Sequence, residues 1–172
     1  MPSAFAHAAP ALALIPAFAR PGVPKRLWWL GVGGALAPDL DVVAFALGVP
    51  YAHPLGHRGL WHSIPFAAFA AGCLALALRP AGLSRPRAGL YLFVAIASHG
   101  LLDAATDGGL GVALLAPFHD GRFFFPFRPI AVSPLHPAAF FSARGLAVLE
   151  SELLWVWLPC AALGLALWRR AR

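Results

Sequence analysis

The chain has 172 residues, is 60% hydrophobic and 12% charged, has a mean hydropathy of +0.73 and carries a formal net charge of +6. Soluble domains are about 25% charged, so half that value with this hydropathy excludes a soluble globular enzyme and indicates one compact integral-membrane unit. The positive charge comes in small clusters between apolar runs, not along a continuous basic face, which excludes a nucleic-acid binder.

Five apolar segments can be drawn, each near the ~20 residues that cross ~30 Å of hydrocarbon. They predict an all-α, polytopic helical bundle of about five transmembrane helices, forming a single domain over residues 1–172. The first segment runs from about Ser3 to Ala19 and carries His7. Ala17-Phe18-Ala19 resembles a signal-peptidase site, but no basic residue precedes the run and Pro10 and Pro16 interrupt it, so it reads as a retained helix. The second segment, Leu27 to Gly48, contains Pro38-Asp39-Leu40-Asp41. Gly31 and Ala35, four apart on it, allow close helix approach. The third, His62 to Leu78, follows His57-Arg58-Gly59. The fourth, Ala88 to Asp107 and extendable to Ala116, carries His99-Gly-Leu-Leu-Asp103. Residues 108–145 form a long interfacial loop in which Phe118, Phe123, Phe124, Phe125 and Phe127 alternate with Arg122 and Arg128. The fifth segment runs from Leu146 to Trp168. Cys73 and Cys160 lie within apolar runs and read as small buried hydrophobes, not as a disulfide or thiolate site.

With five crossings, Arg20, Lys25, Arg26, Arg79, Arg85, Arg87, Arg169, Arg170 and Arg172 share one side and no acid joins them. The positive-inside rule makes that side cytoplasmic and puts the N-terminus outside. Every histidine and acid then falls in the outer half. At 1.5 Å per residue, Asp39 and Asp41 lie roughly 18–21 Å from the cytoplasmic end, and His99, Asp103 and Asp107 roughly 16, 22 and 28 Å. His7 lies about one turn below the outer end of its segment, and His57 and His62 open the third. Four segments thus bring His or Asp to one depth.

Carboxylates in hydrocarbon persist only with partners, and a divalent ion is the partner that best unites His with Asp. His99 and Asp103, four apart, project from one helical face within reach of one cation. Asp39 and Asp41 do not share a face in a regular helix, but Pro38 loosens the geometry. For one of these acids a helix N-cap is the competing reading. His53, His119, His136 and Asp120 lie in loops and read as solvated bystanders. Glu150 and Glu152 stay undecided between site and interface.

His7, then Pro38-Asp39-Leu40-Asp41, then His57-Arg58-Gly59 with His62-Ser63, then His99-x-x-x-Asp103-x-x-Thr106 resembles the YdjM-like family of inner-membrane, metal-dependent hydrolases. Trp61 stands where that family usually has Thr. The resemblance implies a bacterial inner-membrane location. A more distant similarity to zinc-dependent phospholipase C and nuclease proteins implies phosphoester hydrolysis.

The expected ligands are His7, Asp39, Asp41, His57, His62, His99 and Asp103, holding one or two divalent ions, most simply Zn²⁺. A metal there would lower the pKa of its water toward ~7, with Asp41 or Asp107 accepting the proton. Arg58, Arg122 and Arg128 are the expected contacts to a phosphoryl group, and a membrane lipid or amphiphilic phosphoester is the expected partner. The rival reading is a non-catalytic metal-stabilised membrane protein or a metal-ion transporter. Against transport, the cytoplasmic half has no acid or His to continue a path.

Overall fold

A computed structural model of the chain describes residues 1–78, 82–134 and 137–172. Arg79 and His136 lie outside the described residues. Helix α1 (Ala4–Phe18) is capped by Ser3, whose Oγ accepts from the Ala6 N–H at 3.4 Å. Pro10 and Pro16 sit inside it without ending it. Helix α2 (Arg26–Leu36) passes directly into a 3₁₀ turn (Ala37–Val42) and the short α3 (Val43–Ala46). Pro38 near the start of that turn lacks an N–H for the α ladder, and the tighter winding follows. A second 3₁₀ turn (Leu60–His62) leads into α4 (Ile64–Leu78), and α5 spans Arg85–Ala104. The short α6 (Pro137–Phe140) precedes α7 (Ala143–Glu152), a π turn (Leu153–Trp157) and α8 (Leu158–Arg170), the last three forming one continuous helix. Pro159 cannot donate to the carbonyl four residues back, which accounts for the widened turn before it.

The element boundaries depart from the sequence reading at the site end. The fourth segment ends at Ala104, short of Asp107, and residues 105–134 fold back irregularly, with isolated bridges Thr106–Ile130 and Val112–Phe123. His62 belongs to the 3₁₀ turn before α4, not to the helix itself. Two helical runs, Arg26–Ala46 (21 residues) and Ala143–Arg170 (28 residues), are long and apolar enough to cross a membrane. Helices α1 and α4 are apolar but 15 residues long.

Large apolar side chains face outward, and several ionisable ones are buried. Phe69 and Leu76 on α4 are 68% and 65% exposed, while His7, Arg58, His99, Asp103 and Glu152 are fully buried. Large exposed apolar faces around a buried polar cluster suit a hydrocarbon solvent. Cys73 is exposed on such a face and Cys160 is half-buried, which corrects the expectation that both are buried; both are free thiols.

Small residues let the helices close. A Cβ on Gly31 would lie 2.4 Å from Tyr91 Oη, so only glycine admits this ring between α2 and α5. The Tyr91 hydroxyl donates to the Ala11 carbonyl at 3.3 Å. Ala35 is buried against Ala11 and Ala95, so α1, α2 and α5 meet over methyl groups. Helix α8 packs on the far side of α1.

Candidate metal centre

The site forms at one end of the bundle, where α1 and α4 begin and α2 and α5 end. The start of α1 supplies His7, and the end of α5 supplies His99 and Asp103 one turn apart. The 3₁₀ turn after α2 supplies both carboxylates of the Pro-Asp-Leu-Asp motif. In an α-helix residues i and i+2 point about 160° apart; at three residues per turn the angle falls to about 120°. Asp39 and Asp41 therefore both face the interior, and they share His62 through its two different ring nitrogens.

His99 Nε2 lies 3.3 Å from Asp39 Oδ1, and His62 Nε2 lies 3.3 Å from Asp103 Oδ2. His7 Nε2 lies 3.7 Å from Asp39 Oδ2 and 3.9 Å from Asp103 Oδ1. The His7 and His99 rings stack at 3.7 Å. Nε2 of His7, His62 and His99, Asp39 Oδ1 and Asp103 Oδ2 are buried without a hydrogen-bond partner. Orphaned polar atoms at such density are costly. Two donors each bonded at ~2.0–2.1 Å to one tetrahedral ion stand about 3.3–3.4 Å apart, which is the spacing of the closest His–Asp pairs here. Among the described residues, two groups could hold an ion: His7, Asp39, His99 and Asp103, and Asp39, His57 and His62. Asp39 belongs to both.

A surrounding layer fixes these ligands. Asp41 Oδ1 lies 2.7 Å from His57 Nδ1, and Asp41 Oδ2 lies 3.2 Å from His62 Nδ1. His99 Nδ1 lies 2.7 Å from the Ala35 carbonyl, which makes that nitrogen the donor and frees Nε2 for a ligand. Arg58, at φ 62°, is fully buried and donates to Asp103 Oδ1 (3.2 Å), Thr106 Oγ1 (2.9 Å) and the Gly108 carbonyl (2.7 Å). That left-handed backbone is uncommon outside glycine, and the three bonds hold the guanidinium against Asp103. Burial pushes the nearby Tyr51 phenol above its ordinary pKa.

Other residues singled out by sequence stand elsewhere. Asp107 Oδ1 accepts from the Val132 N–H at 2.7 Å, its side chain is 48% exposed, and it does not join the cluster. Arg122 donates to the carbonyls of His57, Tyr51 and His53, so it fastens the loop. Arg128 is exposed and lies over the Phe124 ring at 4.8 Å. His53 and His119 each accept a hydrogen bond from a nearby backbone N–H on exposed loops. Sequence reasoning left Glu152 undecided. It is fully buried and accepts from both the backbone N–H and the hydroxyl of Ser3, tying the start of α1 to α7. Its place inside a long apolar run was the available signal.

A helical bundle with apolar outer faces and a buried His/Asp group able to hold a metal ion defines the class. The YdjM inner membrane protein family model matches residues 1–172, and the chain belongs to that family. It is an inner-membrane protein. The inner membrane protein YbcI of Escherichia coli (strain K12) is 40% identical over 172 residues, covering 99% of each chain. No solved structure matches.

Proposed function

We propose that the protein is a membrane-embedded, metal-dependent hydrolase acting on an amphiphilic phosphoester. The observation that carries this reading is the set of three Nε2 atoms and two carboxylate oxygens buried together without hydrogen-bond partners. His7, Asp39, His99 and Asp103 would hold a divalent ion, with His62 facing the same carboxylates; nitrogen and oxygen donors in this mix suit Zn²⁺. A second ion would sit with Asp39, His57 and His62 and share Asp39. When bound, such an ion supplies Lewis acidity and makes water reactive near neutral pH.

The chain's own residues do the rest. Asp41 orients His57 and His62 through their Nδ1 atoms, and Asp107 stands outside the cluster. Arg58 holds Asp103 and adds positive charge beside a phosphoryl group. Arg128 meets the headgroup from the exposed loop. Asp39 keeps 13% of its side chain exposed while Asp103 keeps none, which leaves one edge of the centre open to a substrate. Phosphoester chemistry rests on the resemblance of the ligand motifs to the zinc phospholipase C and nuclease group. On this reading α1, α4 and α5 also span the membrane, with local thinning accommodating the shorter helices. The N-terminus lies outside, opposite the basic ends of α2, α5 and α8.

A second reading, a metal that only holds the fold together, is favoured by one fact: the cluster joins α1, the turn after α2, the turn before α4, and α5. Metal analysis of the purified protein, together with Asp103→Ala and His62→Ala, tests the site. Near-stoichiometric metal is expected in the wild type, with loss in both variants. A metal-free wild type under replete conditions overturns both readings. A screen of phospholipids and other phosphoesters separates them: turnover lost in Asp103→Ala supports the hydrolase, turnover retained rejects it, and metal uptake by proteoliposomes would indicate transport.

A further inference from the structure

The bundle has two apolar cavities of comparable size beside the site end. One, of about 410 Å³, lies among α1, α5 and the irregular segment and has no ionisable residue in its wall. The other, of about 470 Å³, lies between α2 with its 3₁₀ turn and α4, over Ile96 of α5, and its wall includes Leu40, Trp61, Phe66, Leu74 and one acid, Asp41. That acid is the partner of His57 and His62. Of the two, the second is therefore the one whose wall includes a residue in contact with the candidate centre.

Its shape identifies an occupant. Phe66, Ala70 and Leu74 recur every four residues along one face of α4, so the wall extends about 12 Å along the helix axis. A hydrocarbon chain of the surrounding bilayer suits an apolar slot of that length. Leu40, 71% exposed, and Trp61, 38% exposed, stand at its rim, on a surface surrounded by lipid in an inner-membrane protein. Apart from Asp41 no lining group is charged, so nothing there recognises a headgroup, and the polar end of an occupant belongs at the Asp41 end.

We infer that this slot binds one acyl chain of the lipid substrate, entering from the bilayer beside Leu40 and Trp61 and directing the phosphoester toward the His/Asp cluster. The assignment rests on the hydrolase reading for what happens at the polar end, but acyl-chain binding itself is measured without turnover. The full-length, metal-loaded protein in nanodiscs is irradiated with phosphatidic acid bearing a diazirine in one acyl chain, and crosslinks are mapped by mass spectrometry. Crosslinks are expected at Phe66, Ala70 and Leu74, falling about tenfold in Ala70→Trp with metal content unchanged. Should Ala70→Trp lose its metal, the smaller Ala70→Leu serves, with a partial fall expected. Crosslinks spread evenly over the exposed faces of α4 and α8, or undiminished in both variants, overturn the slot. Slot-specific crosslinks in a protein that turns over no phosphoester leave the slot standing and remove the hydrolase reading. Turnover of long-chain lipid phosphate by a protein without slot-specific crosslinks does the reverse.

Discussion

At the level of single residues, the two acids of the Pro-Asp-Leu-Asp motif divide the work. Asp39 faces Nε2 of His7, His62 and His99, whereas Asp41 faces Nδ1 of His57 and His62. A carboxylate on the far nitrogen of a ligand histidine fixes its tautomer and raises its basicity, and loss of such a partner lowers metal affinity about 10–100-fold. Asp41→Asn should therefore keep the fold and weaken metal binding by about that factor, measured by competition with a chelator of known affinity. Asp107→Asn, whose carboxylate faces the Val132 N–H and Arg144 and no ligand histidine, should leave the affinity unchanged. Equal losses in the two variants would contradict the assignment of Asp41. The pairing of His99 with Asp103 was legible in the sequence because helical spacing fixes their common face. The division between Asp39 and Asp41 was not, because it depends on an α-to-3₁₀ change whose sequence sign, Pro38, is equally compatible with a helix cap.

Among the elements, α5 and the turn before α4 approach more closely than side chains permit. A Cβ on Gly100 would stand 2.2 Å from the His62 carbonyl oxygen. Glycine at that position lets the backbone of His62 rest on α5, one turn from Asp103, and so brings its imidazole to the cluster. Gly100→Ala should push His62 outward, destabilise the fold by about 1–3 kcal/mol and lower metal content. On α2, a Cβ on Gly33 meets nothing within 4 Å, so Gly33→Ala should instead stabilise by about 0.5–1 kcal/mol. Thermal unfolding of the two variants in one detergent measures both; equal shifts would mean that the close approach is unimportant. The apolar runs announced α1, α2, α4, α5 and the α7–α8 helix, since hydropathy survives without context. The detailed path of residues 105–134 did not show, because it is held by single backbone bonds such as Ile64 N–H to the Leu114 carbonyl and Phe125 N–H to the Ala104 carbonyl. Such bonds follow from tertiary placement and leave no periodic trace.

For the whole molecule, the apolar surface and the polar interior pose opposite energetic problems. The outer faces are satisfied by lipid, whereas Asp39, Asp103 and the three histidines around them keep buried atoms without hydrogen-bond partners, although Arg58 and the N-terminal ammonium both face Asp103. A ligand that binds the folded state and not the unfolded one contributes about 2.7 kcal/mol when present at a hundred times its dissociation constant. In a chain of this length about 1 kcal/mol corresponds to 2–4 °C of Tm, so removing the proposed ion should lower Tm by about 5–10 °C. Unfolding scans with and without a strong chelator measure the shift. In Asp39→Ala, which removes the residue common to both candidate groups, the chelator should produce no further shift. A wild type indifferent to chelation would mean that the orphaned polar atoms are satisfied without metal. A wild-type shift that persists in Asp39→Ala would place the ion elsewhere in the bundle.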